Sequence, residues 1–210
     1  MISDRATPAQ IEGVKRLLEI RRMVEYPSMS WYSPPPSIVL DNFLFLGDYD
    51  NASNIELLQN LGIKHILTIH DRELDENIRT KFNYFSIISP DSSSKDVKQY
   101  FEKTNKFLHD CYLAGEKVLV HCQMGISRSS TLVLAYLMKY HHETLEQSFR
   151  YLLEKRPMIS PNIGFLLQLV QYEEELRKTQ EIDTTKNDDD NNNNNKEETN
   201  PIKTVALDIS

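Results

Sequence analysis

A chain of 210 residues with 40% hydrophobic content can bury the core of one ordinary domain with tails, and a two-domain organisation is not expected. Its two cysteines, Cys111 and Cys122, exclude a disulfide framework, and the opening MISDRATPAQ lacks the apolar region of a secretory signal, so a reducing, cytoplasmic setting is expected, with the nucleus as the alternative. The net charge of −7 is concentrated at one end: residues 181 to 210 carry eight acidic and three basic side chains, which leaves a nearly neutral body and no electrostatic support for nucleic-acid binding. No apolar run reaches the ~18 residues of a membrane helix, and the chain does not open on the Met-Gly of a myristoylation site, so no membrane partner is expected.

In chain order, PAQIEGVKRLLEIRRMV places Ile11, Val14 and Leu18 on one side of a weakly amphipathic helix with basic flanks. It reads either as a helix packed on the body or as a docking segment for a partner such as a kinase. Pro34, Pro35 and Pro36 then form an extended connector, so residues 1 to 36 read as an extension. From Ile38, SIVLDNFLFLG gives one or two short strands, NIELLQNLG a helix stopped by Gly62, and KHILTIH and NYFSII two buried strands. KDVKQYFEKTNKFLHDCYL sets Val97, Phe101, Leu108 and Cys111 on one face of a helix, and KVLVH is a short β-branched strand. STLVLAYLMKY, apolar almost all round, is a central buried helix. Thr144 with Gln147 offers a capping box, and Ser160 before Pro161 is expected to start the last helix, NIGFLLQLVQYEEEL. Residues 37 to 178 therefore form the body, and residues 179 to 210, acidic and Asn-rich, are expected as a disordered tail. Strands alternating with helices imply the α/β class, a single domain with a mainly parallel, twisted sheet flanked by helices.

The stretch HCQMGISRSS, residues 121 to 130, falls between the KVLVH strand and the buried helix, at a strand's carboxyl end and a helix's amino end. Ligands bind there in α/β folds, and free amides with the helix dipole favour a tetrahedral anion. Gly125 permits a positive φ and close approach of the backbone. Cys122, surrounded by those amides and Arg128, is expected as the nucleophilic thiolate. Arg128 supplies a planar fork for two phosphoryl oxygens and the charge that grows on them.

His121, Cys122, Gly125, Arg128 and Ser129 resemble the HCxxGxxRS loop of cysteine-dependent protein tyrosine phosphatases, and the GxSRS form resembles the dual-specificity branch, in a compact, atypical version. LGDYDNASN with LGIKHIL, QYFEKTNKFL, AYLM and RPMISPNIGFLLQL look like the same branch in the same order, so that the resemblance covers about residues 37 to 177. It implies a protein tyrosine phosphatase-like catalytic domain over residues 37 to 178. The phosphate-binding loop would then be Gln123, Met124, Gly125, Ile126, Ser127 and Arg128. The general acid is implied some thirty residues before the cysteine, where Asp91 stands in ISPDSSS, with Asp96 as second choice and helix capping as the other role for Asp91. Ser129 is implied to donate to the Cys122 sulfur, and His121 to order the loop. Asn162 would brace it from the last helix or simply start that helix.

The implied reaction has two displacements, through a cysteinyl-phosphate and then its hydrolysis, with no cofactor and no metal. GDYDN, residues 47 to 51, approaches an element of metal-dependent phosphatases, but GDxHG and GNHE are absent, so a strand end and turn is expected there. The six histidines are scattered, and Cys111, His121 and Cys122 lack the spacing of a metal site. Cys111 reads as a buried apolar filler rather than a redox partner. Phosphoprotein substrates are favoured over lipid or RNA-end phosphates because Gln123, Met124, Ile126 and Ser127 are uncharged. The rival from another class is a weakly catalytic phosphoprotein-binding module. The oligomeric state is not legible.

Overall fold

The computed structural model describes residues 6–25, 33–142 and 144–193, with the backbone alone for 182–193. Its elements run α1 (Pro8–Met23), β1 (Ser37–Leu40), β2 (Leu44–Gly47), α2 (Tyr49–Ser53), α3 (Ile55–Leu61), β3 (Ile63–His70), α4 (Glu76–Arg79), β4 (Asn83–Ile88), α5 (Phe101–Leu113), β5 (Lys117–His121), α6 (Arg128–Tyr140), α7 (Leu145–Lys155) and α8 (Ile163–Asn193). The chain divides into two units, Met1–Glu174 and Glu175–Ser210.

The five strands form one sheet in the order β1-β2-β5-β3-β4. The β1–β2 pair is antiparallel and the other three pairs are parallel, which gives the mainly parallel α/β sheet that alternating elements imply. Alternate side chains point to opposite faces. Thus Phe45, Ile66 and Leu119 pack with Ala52, Leu58, Leu74 and Ile78 of the segments on one face. The opposite face is covered by α5 and α6. Every residue of α6 from Arg128 to Met138 is buried, as its all-round apolar sequence requires. Val97, Phe101, Leu108 and Cys111, the expected α5 face, are all buried.

Local chemistry explains the boundaries. Thr7 accepts from Gln10 N and donates its own N–H to Gln10 Oε1, a capping box that, with Pro8 at the first position, starts α1. Asn54 caps α3, and Gly62 at φ 73° ends it in the left-handed conformation. The Thr144–Gln147 box opens α7.

Four expectations need correction. The segment after Gly47 is a short helix, α2, because Asp48 and Asn51 form a capping box of their own. Residues 98–100 form a 3-10 turn before α5. The last helix starts at Ile163, with Asn162 Oδ1 accepting from Phe165 N at 3.1 Å, so Asn162 and not Ser160 is its cap. The backbone stays helical to Asn193, past the expected change at residue 179, because a helix already nucleated propagates with one hydrogen bond per added residue. The remainder of the expected tail, 194–210, lies outside the described residues.

The helix α1 packs on the body through Val14, Leu17 and Ile20, with Ile11 and Leu18 only half-buried. Gln10 Nε2 donates to Glu174 Oε2 at 2.8 Å, and Gly13 lies against Val170. Leu17→Ala is expected to lower stability by about 2–5 kcal/mol, seen as a lower urea midpoint at unchanged slope. An unmoved midpoint would mean that α1 contributes no core.

Candidate active site

The strands β2 and β5 finish level, with Gly47 paired to His121, and β3 and β4 run two residues further, since Thr68 pairs with His121 and His70 with Ile88. Four connections therefore converge beyond the carboxyl ends, the position in which α/β sheets assemble sites. They are the starts of α2 and α6 and the segments following β3 and β4.

The connection from β5 to α6 is residues 122 to 127. Gln123 O accepts from Tyr49 N at 3.1 Å, Met124 O from Arg156 Nη2 at 3.2 Å and Gly125 O from Arg156 Nε at 2.8 Å. Ile126 O accepts from Ser160 N at 2.8 Å, and Ser127 O from Thr131 N at 3.0 Å. The two ends of a peptide group point in opposite directions, so five successive carbonyls turned to these donors leave the following N–H groups on the other side. One of them, Gly125 N, donates to Cys122 Sγ at 3.2 Å. Ser129 Oγ donates to the same sulfur at 3.2 Å, from the first turn of α6.

Gly125 has φ 65°, and a Cβ there would stand 2.5 Å from Gly47 O and 2.6 Å from Arg156 Nη2. Only glycine allows both the conformation and the contact. Arg156 is 2% exposed; burial lowers its pKa, and the Asp48 carboxylate opposes that shift.

His121 lies beneath the loop. Its Nδ1 faces Cys122 O at 3.2 Å and its Nε2 faces Thr68 Oγ1 at 2.6 Å. A carbonyl can only accept, so Nδ1 carries the proton and Nε2 accepts from the threonine hydroxyl. Burial pushes the imidazole pKa down to about 3, so the ring is neutral and acts as a brace.

Arg128 is buried at the start of α6. Its Nη1 donates to Asp71 Oδ2 at 2.9 Å and to Ser89 O at 3.0 Å. Asp91, after β4, sits across from it, with Oδ2 3.8 Å from Arg128 Nε. Asp91 Oδ1 accepts from Ser127 Oγ at 2.8 Å and from Asn162 Nδ2 at 2.7 Å, which fixes one oxygen and leaves Oδ2 facing the arginine. Asn162 thus caps α8 and also reaches the acid. Asp96 is elsewhere, accepting from Gln99 N at 3.3 Å at the start of the 3-10 turn.

The acid segment is fastened to α8. Gln168 Oε1 accepts from Val97 N at 2.7 Å and Lys98 N at 2.9 Å, and its Nε2 donates to Lys95 O at 2.8 Å. A Cβ on Gly164 would lie 2.0 Å from Ser93 O, so that glycine lets the helix meet the segment backbone to backbone.

Cys122, Arg128, Asp91, Ser129, His121, Asn162 and the loop from Gln123 to Ser127 are thus brought together. Sequence reading missed Asp71, Arg156 and Gln168. Arg156, in EKRPM, gives no periodic signal, Asp71 is one of several charges in HDRELDE, and Gln168 is a polar break in an apolar helix. Among the described residues no group of three or more His, Cys, Asp or Glu could hold a metal ion, and no helix is long and apolar enough to cross a membrane.

The family model described as dual specificity phosphatase, catalytic domain, matches residues 44–175. The chain belongs to the dual specificity phosphatase family. It is 46% identical over 134 residues to MAP kinase phosphatase with leucine-rich repeats protein 3 of Dictyostelium discoideum, covering 63% of this chain and 15% of that protein. It is 42% identical over 134 residues to human dual specificity protein phosphatase 5, covering 64% and 35% of the two chains. The chain thus spans well under half the length of these curated relatives. Solved phosphatase domains match almost whole. Human DUSP28 superposes with a TM-score of 0.65 at 28% identity, covering 71% of this chain and 99% of that one. The human tyrosine phosphatase-like serine/threonine/tyrosine-interacting protein gives 0.63 at 34% identity, covering 66% and 95%.

Within this dual specificity phosphatase domain the two cysteines differ. Cys111 is packed in the core, and burial pushes its pKa up to about 12, so it is a neutral thiol at pH 7. Iodoacetamide at pH 7 is expected to leave Cys111 unmodified in the folded protein and to label it only after unfolding, read by peptide mass mapping. Gly125→Ala is expected to cost about 1–3 kcal/mol of stability and to lose binding of tungstate in calorimetry, whereas retained binding would mean the loop tolerates the Cβ.

Proposed function

We propose that the protein hydrolyses phosphotyrosine and phosphoserine/threonine in proteins through a cysteinyl-phosphate on Cys122. The observation that carries this reading is a sulfur receiving Gly125 N–H and Ser129 O–H beneath a loop of inward amides, with the buried Arg128 at the end of that loop and Asp91 Oδ2 3.8 Å from its Nε. Family membership adds that the curated relatives named above are protein phosphatases.

Cys122 attacks phosphorus as the thiolate, in line with the bond to the leaving oxygen. The loop amides and Arg128 hold the three equatorial oxygens as their charge redistributes. Asp91 Oδ2 gives its proton to the departing side-chain oxygen. Oδ1, tied to Ser127 and Asn162, sets that oxygen's direction. Water then attacks the phosphocysteine and passes a proton to Asp91, and the sulfur leaves as thiolate with Ser129 Oγ donating to it.

The substrate class follows from the rim. Gln123, Met124, Ile126 and Ser127 bring no charge that would favour a polyphosphorylated lipid or RNA end, and Met124 is 45% exposed. A phosphoprotein is the reading these residues support. A kinase docked on α1 would meet its polar face, Lys15, Arg16 and Arg22, because the apolar side already packs on the body. A cytoplasmic location fits both thiols being free.

Turnover of para-nitrophenyl phosphate between pH 5 and 8 tests the proposal. No turnover with phosphopeptide binding intact would leave a binding module instead. Cys122→Ser is expected to abolish turnover while retaining phosphopeptide, and activity surviving EDTA would fit a reaction without metal. Asp91→Asn is expected to slow phosphopeptide turnover by about 10²–10⁴-fold and to affect a substrate with a good leaving group much less. Equal loss on both substrates would place the acid elsewhere.

A further inference from the structure

Asp71, the first residue after β3, has a side chain 56% exposed, yet it holds a guanidinium only 5% exposed. Arg128 Nη1 is occupied twice, by Asp71 Oδ2 and by Ser89 O, whereas Arg128 Nε is buried without a hydrogen-bond partner. Asp71 and Ser89 therefore grip one corner of the fork, and the Nε–Nη2 edge, with the proposed acid Asp91 Oδ2 3.8 Å from Nε, is the edge a phosphoryl group would meet. That edge has the geometry for two parallel hydrogen bonds to phosphoryl oxygens.

Asp71 is exposed, but its backbone is not loose. Arg72 N donates to His70 Nδ1 at 3.1 Å, so His70 Nε2 is the protonated nitrogen and donates to Gln123 Oε1 at 2.7 Å, tying the segment to the phosphate loop. Ser89 N donates to His70 O at 2.9 Å, so the second acceptor of Nη1 is linked to the same strand end. Arg72 stacks over the Tyr49 ring at 5.2 Å. Downstream, Leu74 is buried, its N–H donates to Tyr84 Oη at 3.1 Å, and Arg79 pairs with Glu73 at 2.9 Å. The Arg128 guanidinium in turn holds the Asp71 carboxyl below the usual carboxylate range, so it is an anion wherever the enzyme would work.

We propose that Asp71 is the positioning residue of Arg128, fixing Nη1 so that the Nε–Nη2 edge is presented to the phosphoryl group in both displacements. The role rests on the phosphatase reading. A free arginine would have to surrender rotamer freedom as substrate binds, and one gripped in advance has already done so. Because Asp71 takes Nη1 and not the edge, phosphate need not displace it.

The experiment uses the full chain with Asp71→Ala and Asp71→Asn. In a Cys122→Ser background, calorimetric affinity for tungstate is expected to fall about tenfold with Asp71→Ala and by no more than about threefold with Asp71→Asn, whose amide oxygen can still accept from Nη1. In the active background, kcat for para-nitrophenyl phosphate is expected to fall about ten- to hundredfold with Asp71→Ala and to be largely restored by Asp71→Asn. Tighter tungstate binding by Asp71→Ala would make Asp71 a competitor of the ligand and overturn the proposal, as would affinity equal to that of the unmodified residue. Should the active background show no turnover at all, the phosphatase reading fails, while the tungstate measurement still decides whether Asp71 positions Arg128. A melting temperature for each variant separates these results from loss of fold.

Discussion

The site depends on the direction in which five consecutive peptide groups face. Nothing in the residues Gln123 to Ser127 prefers outward carbonyls by itself. The preference comes from donors placed around them: the first amide of α2, the buried guanidinium of Arg156, the amide of Ser160 and the first turn of α6. They come from α2, from the connection between α7 and α8 and from α6, so the sheet and its helices must be assembled before the loop has a defined conformation. Anion binding in this domain is thus a property of its tertiary structure.

The groups facing the loop are held from the same surrounding elements. Asp91 is held from α8 through Asn162 and from the loop through Ser127, while Arg128 is held from the β3 and β4 ends. The acid and the arginine face each other without sharing a hydrogen bond. Their supports meet at two places, since Ser89, which holds the arginine, is two residues before Asp91, and Ser127, which holds the acid, is next to Arg128, so a disturbance at either is shared by both.

Much of this was legible in the residues because their types are so constrained. Cys122, Gly125, Arg128 and Ser129 fall within eight consecutive positions and are residue types with the atoms the chemistry requires, and the flanking strand and buried helix gave them a place. The sheet followed from alternation of apolar segments, and Gly62 marked its helix end through its conformation. What escaped notice has a common cause. Arg156 and Asp71 act across 31 and 57 residues of chain, on atoms whose proximity only the fold creates. Local signals also lost to tertiary ones at the start of α8, where Ser160 before Pro161 looks like the cap, yet Ser160 N–H donates to Ile126 O of the phosphate loop and the helix starts three residues later, capped by Asn162. In α1 the buried stripe is Val14, Leu17 and Ile20, one position removed from the line through Ile11 and Leu18, because neighbouring helices choose the face that a weak pattern leaves undecided.

The backbone contact between Gly164 and Ser93 carries a consequence for the acid. Seated on α8 with no Cβ between them and tied there by Gln168, the acid segment takes its place from the last helix as much as from the sheet. Packing on the far end of the chain thereby reaches the sulfur's surroundings: a helix displaced by a fraction of an ångström would carry the Asp91 carboxylate with it, through Asn162 as well as through Ser93.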